Sequence, residues 1–523
     1  MFDVILRGGK LIDGTGNPAF SADIAFQGEK IAFIGWLPPE TEAAKIIDCR
    51  GKIIAPGFID AHSHSDVTVF SHPESYNKAA QGITTDISGM CGTSNAPRDP
   101  AMLKIEEKHH GQSMPYLADY AATMEHLKAL PLGVNMGQYV GHGSLRSIVC
   151  RGDQNRPLTP KELDALCGLA GEAMDAGAVG VSFGLIYPPG SYADLEELSA
   201  VAACAAKRHK SFSVHMRSES FRLVESVEDM IEVARRSGAK ALISHHKAKG
   251  RENWNKSRQT LALIERANEE GLEVGLDQYP FAASATYLGV YIPQKFQSGG
   301  RANTLKLLRD PAMRREIRAE MERVNPFEES NFRCAGFDGT MVSRSPAHPE
   351  WEGKTMAEIA TLQGKDPFDA AFDLLLDDEL DTDGIYFMMN EADIIRIMQY
   401  PRTMVGTDGG GIAPGQITHP RILGTFPQVL GRYVRELGVL RPEEAIRKMT
   451  SLPANFFGLK HKGLLKEGFD ADVVVYDPQT IACLSDYHHN RPNAGLSAVY
   501  IGGKQVVSEN LFVQSGAGKL LLL

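Results

Sequence analysis

Residues 53–66 read IIAPGFIDAHSHSD, an apolar run that ends abruptly in two histidines one residue apart. Side chains two apart on an extended chain lie on the same side, about 6.6 Å apart along the strand. The imidazoles of His62 and His64 can therefore converge on one metal ion. A polar loop would also accommodate such a pair, so the choice between the two interpretations depends on the rest of the chain.

The overall composition is that of an ordinary globular protein. The 523 residues are 43% hydrophobic and 23% charged, enough for one large domain with smaller additions. The net charge of −10 forms no basic stripe, which argues against nucleic-acid and membrane partners and favours a small-molecule ligand. Seven irregularly spaced cysteines argue against a disulfide framework, and no targeting segment is apparent, so we expect a cytoplasmic protein. The oligomeric state stays open.

Both ends of the chain show a strand pattern. Apolar and polar residues alternate between residues 3 and 54 with glycines between the runs, and a second copy of this pattern lies at residues 472–476 and 499–507. The tripeptide GGK occurs in both copies. We therefore predict that residues 1–54 and 464–523 build one small, split β-domain, which would hold the chain ends together.

The central part of the chain has the rhythm of parallel βα units. Helical segments such as 159–176, with Thr159 as its cap, and 223–237 fit between most of the short apolar runs. Eight runs of this kind predict a (β/α)8 TIM-like barrel over residues 55–463. The runs are residues 53–59, 82–88, 133–140, 178–184, 212–215, 241–244, 272–277 and 403–406.

The connection before the last predicted strand is unusually long. About 120 residues separate Tyr279 from Thr403, and a bare loop of that length is uncommon in a compact domain. Residues 288–350 are polar and are predicted to form an inserted subdomain. We expect this insertion to lie over the barrel mouth as a lid.

Several metal-binding residue types follow the predicted strands. The carboxyl ends of barrel strands meet at one mouth, so these side chains are expected to lie close together. His142 and His246 could instead be hydrogen-bonded loop histidines, and a single buried cysteine is often only packing. The joint occurrence of six candidates at five strand ends favours a metal site. These candidates are His62, His64, Cys91, His215, His245 and Asp408.

Taken together, these motifs resemble the N-acyl-D-amino-acid deacylases, or D-aminoacylases, of the amidohydrolase superfamily. The resemblance covers nearly the whole chain and rests on GFIDAHSH at 57–64, GMCG at 89–92, HMR at 215–217, SHHK at 244–247 and GTDG at 406–409. In that family a cysteine stands where many relatives carry a bridging carboxylated lysine, and Cys91 matches it. Ser65 and Thr407 depart from the family pattern, but neither departure removes a ligand.

The resemblance implies roles for the candidate residues. Cys91, His215 and His245 would hold a tightly bound zinc, His62 and His64 would form a second, weaker site, and Asp408 would be the catalytic base. The residue chemistry agrees, because a thiolate with two imidazoles favours zinc over magnesium or calcium. A zinc-bound water ionises near neutral pH, and Asp408 could pass its proton to the departing amine.

Substrate recognition is expected on the strand-end loops. A substrate α-carboxylate calls for a fork-shaped cation, and the resemblance assigns that role to Arg421. Further pocket positions implied by the family are Lys247, Tyr192, Tyr279 and Ser284. The sequence thus predicts zinc-dependent hydrolysis of N-acyl-D-amino acids. Two alternatives stay open: a cyclic-amide hydrolase of the hydantoinase or dihydroorotase type, disfavoured because residues 82–92 contain no lysine, and a non-catalytic binding protein.

Overall fold

A barrel of parallel strands forms the centre of the chain, with a β-domain built from both chain ends on one side and an inserted subdomain at the mouth. The computed structural model describes residues 1–97, 115, 117, 119–150, 155–323, 329–412 and 418–523. The predicted (β/α)8 barrel with its split β-domain and insertion is confirmed.

The β-domain is a nine-stranded sheet that joins the two ends of the chain. Its central strand Ile53–Pro56 lies parallel to Phe2–Leu11 on one side and antiparallel to Val473–Tyr476 on the other. Buried Val, Ile and Leu side chains at alternating positions supply its core. The remaining strands are Phe20–Gln27, Lys30–Gly35, Ala43–Asp48, Leu496–Ile501, Lys504–Ser508 and Leu511–Phe512.

The barrel has eight parallel strands, and almost all of their residues are buried. The N–H of Ala61 donates to the carbonyl of Val405 at 3.1 Å, which joins the last strand to the first and closes the barrel. Strands buried on both faces read as continuous apolar runs, as these do. The strands are Phe58–Asp60, Ile83–Ser88, Asn135–Gln138 continued by Val140–Gly141, Gly180–Gly184, Ser211–His215, Lys240–Ile243, Val274–Gln278 and Thr403–Val405.

One predicted barrel strand is in fact two strands in different sheets. The run 53–59 divides at Gly57, so that Ile53–Pro56 belongs to the β-domain and only Phe58–Asp60 belongs to the barrel. The backbone of Gly57 packs directly on Thr84, where a Cβ would lie 2.1 Å from the Thr84 Oγ1. The interpretation of 53–59 as one barrel strand was therefore wrong, because the chain crosses from one sheet to the other at this close contact.

Helices cover the outside of the barrel. Pro160–Asp175 begins with the predicted cap, because Thr159 and Glu162 form a reciprocal capping box, and Leu223–Ser237 matches its predicted bounds. The other helices of this part are Ser65–Thr68, Tyr76–Ala79, Tyr120–Lys128, His142–Val149, Leu195–Ala206, Ser257–Glu269, Glu391–Gln399, Arg421–Gln428, the π-helix Val429–Glu436, Pro442–Met449 and Ser451–Phe457.

The insertion is larger than the predicted 288–350. Its three-stranded antiparallel sheet has Asp383–Phe387 between Ala283–Tyr287 and Thr340–Arg344, so its elements extend beyond the predicted range at both ends. A separate aromatic and aliphatic core holds it together. Its helices are Gln294–Gln297, Gly300–Arg309, Pro311–Glu322, Asn331–Ala335, Met356–Gln363 and Pro367–Asp377.

Two further features bear on the sequence-based expectations. All seven cysteines are free, in agreement with the absence of a disulfide framework. Across the described ranges, no helix combines the length and the apolar character needed to cross a bilayer.

Candidate active site

A cavity of about 530 Å³ opens at the carboxyl ends of the barrel strands. Its floor contains most of the predicted ligands, and its outer wall comes from the insertion. Lining residues from the barrel loops include His64, Cys91, His215, His245, Asp408 and Arg421, and those from the insertion include Ser284, Tyr287, Asn331 and Asp383. The barrel and the insertion therefore share one cavity.

Four side chains converge at the floor of this cavity. The Sγ of Cys91 lies 3.5 Å from the Nε2 of His62 and 3.4 Å from the Nε2 of His245. An Oδ1 of Asp408 lies 3.4 Å from the same His62 nitrogen and 3.1 Å from the Nε2 of His64. Ligand atoms of His62, Cys91, His245 and Asp408 all lie within 4.8 Å of one another.

His215 completes the cluster from the fifth strand. Its ring centroid lies 4.4 Å from that of His245. The residue is buried, and neither of its ring nitrogens has a hydrogen-bond partner within the described residues. A charged group, the Oε2 of Glu219, lies 3.6 Å from its Nε2. A buried imidazole that makes no hydrogen bond is costly unless another group binds it, and a metal ion is such a group. The cysteine and histidine donors together fit zinc.

The backbone at this floor is strained at three of the predicted site residues. Cys91, His245 and Asp408 have positive φ angles of 55°, 34° and 49°, a region that residues other than glycine seldom adopt. Next to Cys91, Gly92 packs so tightly that a Cβ would lie 2.5 Å from the backbone nitrogen of Gly184. Such strain persists only where the surroundings enforce it, and it is concentrated at functional sites.

Charges at the floor hold the acidic groups in their ionised forms. Burial alone would raise the pKa of the Cys91 thiol, but the charges of His245 and His62 outweigh it and hold that pKa well below its usual range. Burial opposes ionisation of Asp408 in the same way, whereas Arg421 and His245 hold its pKa well below normal. The ionised forms of Cys91 and Asp408, which face the same space, are therefore both favoured by their surroundings.

Glu219 contacts several nitrogen groups on the side of the cavity formed by the fifth and sixth strands. Its Oε1 lies 2.5 Å from the Nζ of Lys247 and 2.9 Å from the Nδ1 of His245. Its Oε2 lies 3.2 Å from the Nζ of Lys249, which also pairs with Glu329 of the insertion. One fully buried carboxylate thus contacts a predicted ligand, a predicted pocket lysine and the lysine that reaches the insertion.

Arg421 lies at the opposite wall as the first residue of the helix Arg421–Gln428. Its Nη1 lies 2.8 Å from an Oδ2 of Asp408, and its guanidinium stacks over the ring of Tyr279 at 4.7 Å. Ser284 and Lys247 line the same cavity. Four of the five predicted pocket residues are therefore brought together around the predicted metal ligands.

The fifth predicted pocket residue, Tyr192, is not brought to the cavity wall. Tyr192 lies in the short 3-10 helix Gly190–Tyr192 and is not among the cavity-lining residues, whereas Tyr187 is. The ring of Tyr187 contacts the rings of His215 and Tyr287 at 5.1 and 6.0 Å. Ile186 and Pro188, the neighbours of Tyr187, line the cavity as well.

His142 and His246, which the sequence also allowed as hydrogen-bonded loop histidines, both bind other side chains and not the cluster. The Nε2 of His142 lies 2.8 Å from the Oε1 of Glu197, and the Nε2 of His246 lies 2.8 Å from the Oγ1 of Thr260. Burial lowers the pKa of His246 to about 4, so this imidazole stays neutral. Neither histidine lines the cavity.

Sequence reasoning missed Glu219 and Lys249. Glu219 lies four residues after His215, but outside a helix this spacing does not predict a contact. Lys249 lies two residues after Lys247, and a second lysine on a loop would be expected in solvent, whereas only 2% of it is exposed.

A sequence profile described as an amidohydrolase family matches residues 45–507. The chain belongs to the amidohydrolase family. It is 35% identical over 526 residues to a D-aminoacylase of Alcaligenes xylosoxydans xylosoxydans, covering 99% of this chain and 97% of that amidohydrolase. It is 36% identical to an N-acyl-D-glutamate deacylase of the same organism, covering 96% of this chain and 93% of the relative.

A solved amidohydrolase structure agrees over the full length. The N-acyl-D-glutamate deacylase of Bordetella bronchiseptica, complexed with zinc and a phosphonate mimic of the tetrahedral intermediate, matches with a TM-score of 0.85 and 34% identity. The match covers 100% of both chains. An L-hydantoinase of Arthrobacter aurescens matches with a TM-score of 0.57 at 16% identity, which shows the shared fold alone.

Proposed function

We propose that this amidohydrolase is a zinc-dependent deacylase that hydrolyses N-acyl-D-amino acids to a carboxylate and a D-amino acid. The supporting observation is one cavity that holds a soft donor cluster, an ionised carboxylate beside it and a guanidinium at the facing wall. The relatives that act on N-acyl-D-amino acids, at 35% and 36% identity, support the same substrate class.

The donor cluster suggests how zinc would be held. Cys91, His215 and His245 would bind the tight ion, and His62 with His64 would contribute a second, weaker site that shares the thiolate. When bound, zinc polarises the amide carbonyl and supplies hydroxide at neutral pH. Hydantoinase-type enzymes usually rely on a bridging lysine, and the absence of a lysine from residues 82–92 counts against that alternative.

Asp408 is positioned to move the protons of the reaction. Its Oδ1 points to the nitrogens of His62 and His64, so this oxygen faces the space where water would attack the carbonyl. We assign to it the removal of a proton from the attacking water and its delivery to the departing amine. An amine leaves a tetrahedral intermediate only when it is protonated, so one group can serve both steps.

Arg421 would bind the α-carboxylate of the substrate. In the free protein its Nη1 pairs with the Oδ2 of Asp408 at 2.8 Å, and a substrate carboxylate would compete for that guanidinium. Fixing the carboxylate at Arg421 and the acyl carbonyl at the donor cluster leaves one direction for the side chain of the chiral carbon. The L-enantiomer would direct its side chain into the cavity wall.

The first experiment tests the reaction and its stereochemistry. Purified protein is assayed with a panel of N-acetyl-D- and N-acetyl-L-amino acids, and bound metal is measured in the same preparation. We expect hydrolysis of D-substrates only, with about one tightly held zinc per chain. Hydrolysis of the L-series at equal rates, or of cyclic amides alone, would contradict the proposal.

The second experiment tests whether Arg421 binds the α-carboxylate of the substrate. Arg421→Ala should reduce kcat/KM by roughly 30- to 150-fold, as expected for a charge-assisted pair worth about 2 to 3 kcal/mol. Replacing the substrate carboxylate by a neutral carboxamide should reduce kcat/KM of the wild-type enzyme by a similar factor, but should change kcat/KM of the variant little. If the two losses multiply instead, Arg421 does not bind the carboxylate.

A further inference from the structure

We propose that Lys78 is a positioning residue for catalysis, whose buried ammonium ties the loop carrying His62 and His64 to the loop carrying Asp408. Lys78 belongs to the four-residue helix Tyr76–Ala79, between the first two barrel strands, and none of its surface is exposed. It does not line the cavity and touches none of the donor atoms. Its influence on the reaction would therefore be indirect.

The ammonium contacts oxygens from two different loops. At the end of the first strand and on the loop after it, its Nζ donates to an Oδ2 of Asp60 at 2.7 Å and to the Oγ of Ser63 at 2.9 Å. On the loop after the eighth strand, it donates to the Oγ1 of Thr407 at 2.9 Å and to the carbonyl of Gly409 at 2.8 Å. Lys78 thus links two strand-end loops at the point where the barrel closes.

The partners of Lys78 also bind one another across the same junction. Asp60 accepts the N–H of Thr407 at 2.8 Å and its hydroxyl at 2.6 Å. The carbonyl of Gly409 accepts the Ser63 hydroxyl at 3.1 Å and the N–H of His64 at 3.3 Å. The network therefore joins the residues that flank Asp408 to the residues beside His62 and His64.

Asp408 needs such support because its own backbone is strained. Its φ of 49° lies in the left-handed region, and its N–H donates to the carbonyl of His62 at 2.8 Å. Both chain neighbours of Asp408, namely Thr407 and Gly409, are direct partners of the Lys78 ammonium. Without the ammonium, this turn would lose two of its restraints.

A purely structural role explains Lys78 less well. Burying an ammonium carries a desolvation cost, and well-packed apolar residues often replace buried ion pairs without loss of stability. The ammonium also lies 3.7 Å from an Oδ1 of Asp86 on the second strand, but its four hydrogen-bond acceptors all lie at the junction that carries the candidate ligands and base, where geometric accuracy matters for the rate. This placement favours a positioning role over a general contribution to stability.

The chain offers a matched control for removing a buried ammonium. Lys448 is 1% exposed, pairs with Glu444 at 3.6 Å and donates to the carbonyls of Tyr400 and Thr403. Thr403 is the first residue of the last barrel strand, at the end remote from the cavity. Lys78→Met and Lys448→Met are compared as zinc-loaded full-length proteins. Both should melt at a lower temperature than the wild type, because each leaves carbonyl or carboxylate oxygens without their cation.

Only Lys78→Met should impair catalysis, an expectation that rests on the proposed function. We expect kcat for an N-acetyl-D-amino acid to fall by about 10- to 100-fold, with KM and the single tight zinc little changed. Lys448→Met should keep kcat within about twofold of wild type, because its site is distant. Equal kcat losses in the two variants would overturn the proposal.

A second pair of variants covers the case in which Lys78→Met does not fold. Thr407→Val keeps the shape of the side chain but removes the hydroxyl shared by Lys78 and Asp60, whereas Thr407→Ser keeps that hydroxyl. We expect kcat to fall by about tenfold in the valine variant and to stay within about twofold in the serine variant. Wild-type kcat in Thr407→Val would contradict the proposal.

Hydrogen exchange separates this inference from the proposed function. In peptides spanning residues 405–411, amide exchange should be at least about tenfold faster in Lys78→Met than in Lys448→Met, because the turn at Asp408 opens more readily. Thr407→Val and Thr407→Ser give the same comparison if Lys78→Met does not fold. If the wild type hydrolyses no N-acyl amino acid, the proposed function fails, and this measurement still decides whether Lys78 holds the turn. Equal exchange in the paired variants would show that it does not.

Discussion

On the cavity side formed by the first and last strands, His62, His64 and Asp408 are held by bonds within the barrel itself, centred on Lys78. On the side formed by the fifth and sixth strands, the carboxylate of Glu219 lies beside His215 and His245 and, through Lys249, reaches Glu329 of the insertion. The contacts of Lys78 therefore lie within the barrel, whereas those of Glu219 reach the insertion. Among the described residues, the first side meets the insertion through Arg421, the partner of Asp408, which donates to the carbonyl of Ala285 at 3.3 Å.

This difference separates two ways of building a site at a barrel mouth. The barrel-closing side fixes the proposed base, Asp408, and a histidine pair through short bonds among neighbouring loops, so its geometry follows from strand order. The insertion-linked side depends on a carboxylate that binds several cations at once, so its geometry follows from how the insertion docks. Changes at the two sides should therefore differ in size and in which measurement they affect.

Cys91 lies between the two sides, so its removal should have the largest effect. Cys91→Ala takes away the thiolate that contacts both His62 and His245. We expect loss of the tight zinc and a fall in activity of about three orders of magnitude, because metal stabilisation of charge is worth several kcal/mol. Bound zinc and kcat are measured together. Cys49→Ala, at a buried cysteine of the β-domain, should leave both unchanged.

Asp408→Asn tests the barrel-closing side alone. The amide keeps the shape of the side chain but cannot accept a proton, so kcat should fall by at least about 100-fold while zinc stays bound. Asp393→Asn, at a buried carboxylate paired with Arg396 on the outer helix Glu391–Gln399, controls for the loss of a buried charge. Activity of Asp408→Asn within a few-fold of wild type would assign the base to another residue.

Glu219→Gln tests the insertion-linked side alone. The change removes the negative charge between Lys247 and Lys249 and weakens the contact to the Nδ1 of His245. Groups that orient metal-binding histidines typically affect metal affinity or activity by about 10- to 100-fold. Zinc titration and kcat/KM should both report the change. Zinc affinity equal to that of the wild type would show that Glu219 does not orient His245.

Glu329→Gln should have the smallest effect on activity. Glu329 accepts the hydroxyls of Ser218 and Ser220 at 2.8 and 2.6 Å and pairs with Lys249, so the change loosens docking of the insertion. We expect limited proteolysis within residues 288–350 to become about tenfold faster, while kcat/KM falls less than about fivefold. A substrate-like inhibitor should slow the cut in the wild type. Equal cutting with and without inhibitor would argue that the insertion is not a lid.

The sequence revealed the residues that directly follow barrel strands better than the rest of the candidate site. His62, Cys91, His245 and Asp408 each follow an apolar run, and the carboxyl ends of parallel strands must meet, so their convergence was predictable. The contacts of Glu219 depend on the path of a loop, which periodicity does not encode. Which of Tyr187 and Tyr192 lines the cavity also depends on the path of a loop, so periodicity does not encode it either.

The sequence also did not predict which charged residues are buried. Lys78 and Lys249 lie in polar stretches where a lysine is ordinarily solvated, and only the packing of distant segments encloses them. The division of residues 53–59 at Gly57 depends on Thr84, which is distant in sequence. These features arise from tertiary contacts, whereas the strand and helix periods are local.

The nine-stranded sheet has a consequence for biosynthesis. Its strand Ile53–Pro56 pairs with Val473–Tyr476, which is made hundreds of residues later. At about 5 to 20 residues per second, the first half of the sheet waits roughly 20 to 80 s on the ribosome for its partner strands. Until then Ile53–Pro56 presents an unpaired apolar edge, a form prone to aggregation. The same long-range pairing predicts slow refolding of the β-domain from denaturant, because contacts distant in sequence form late.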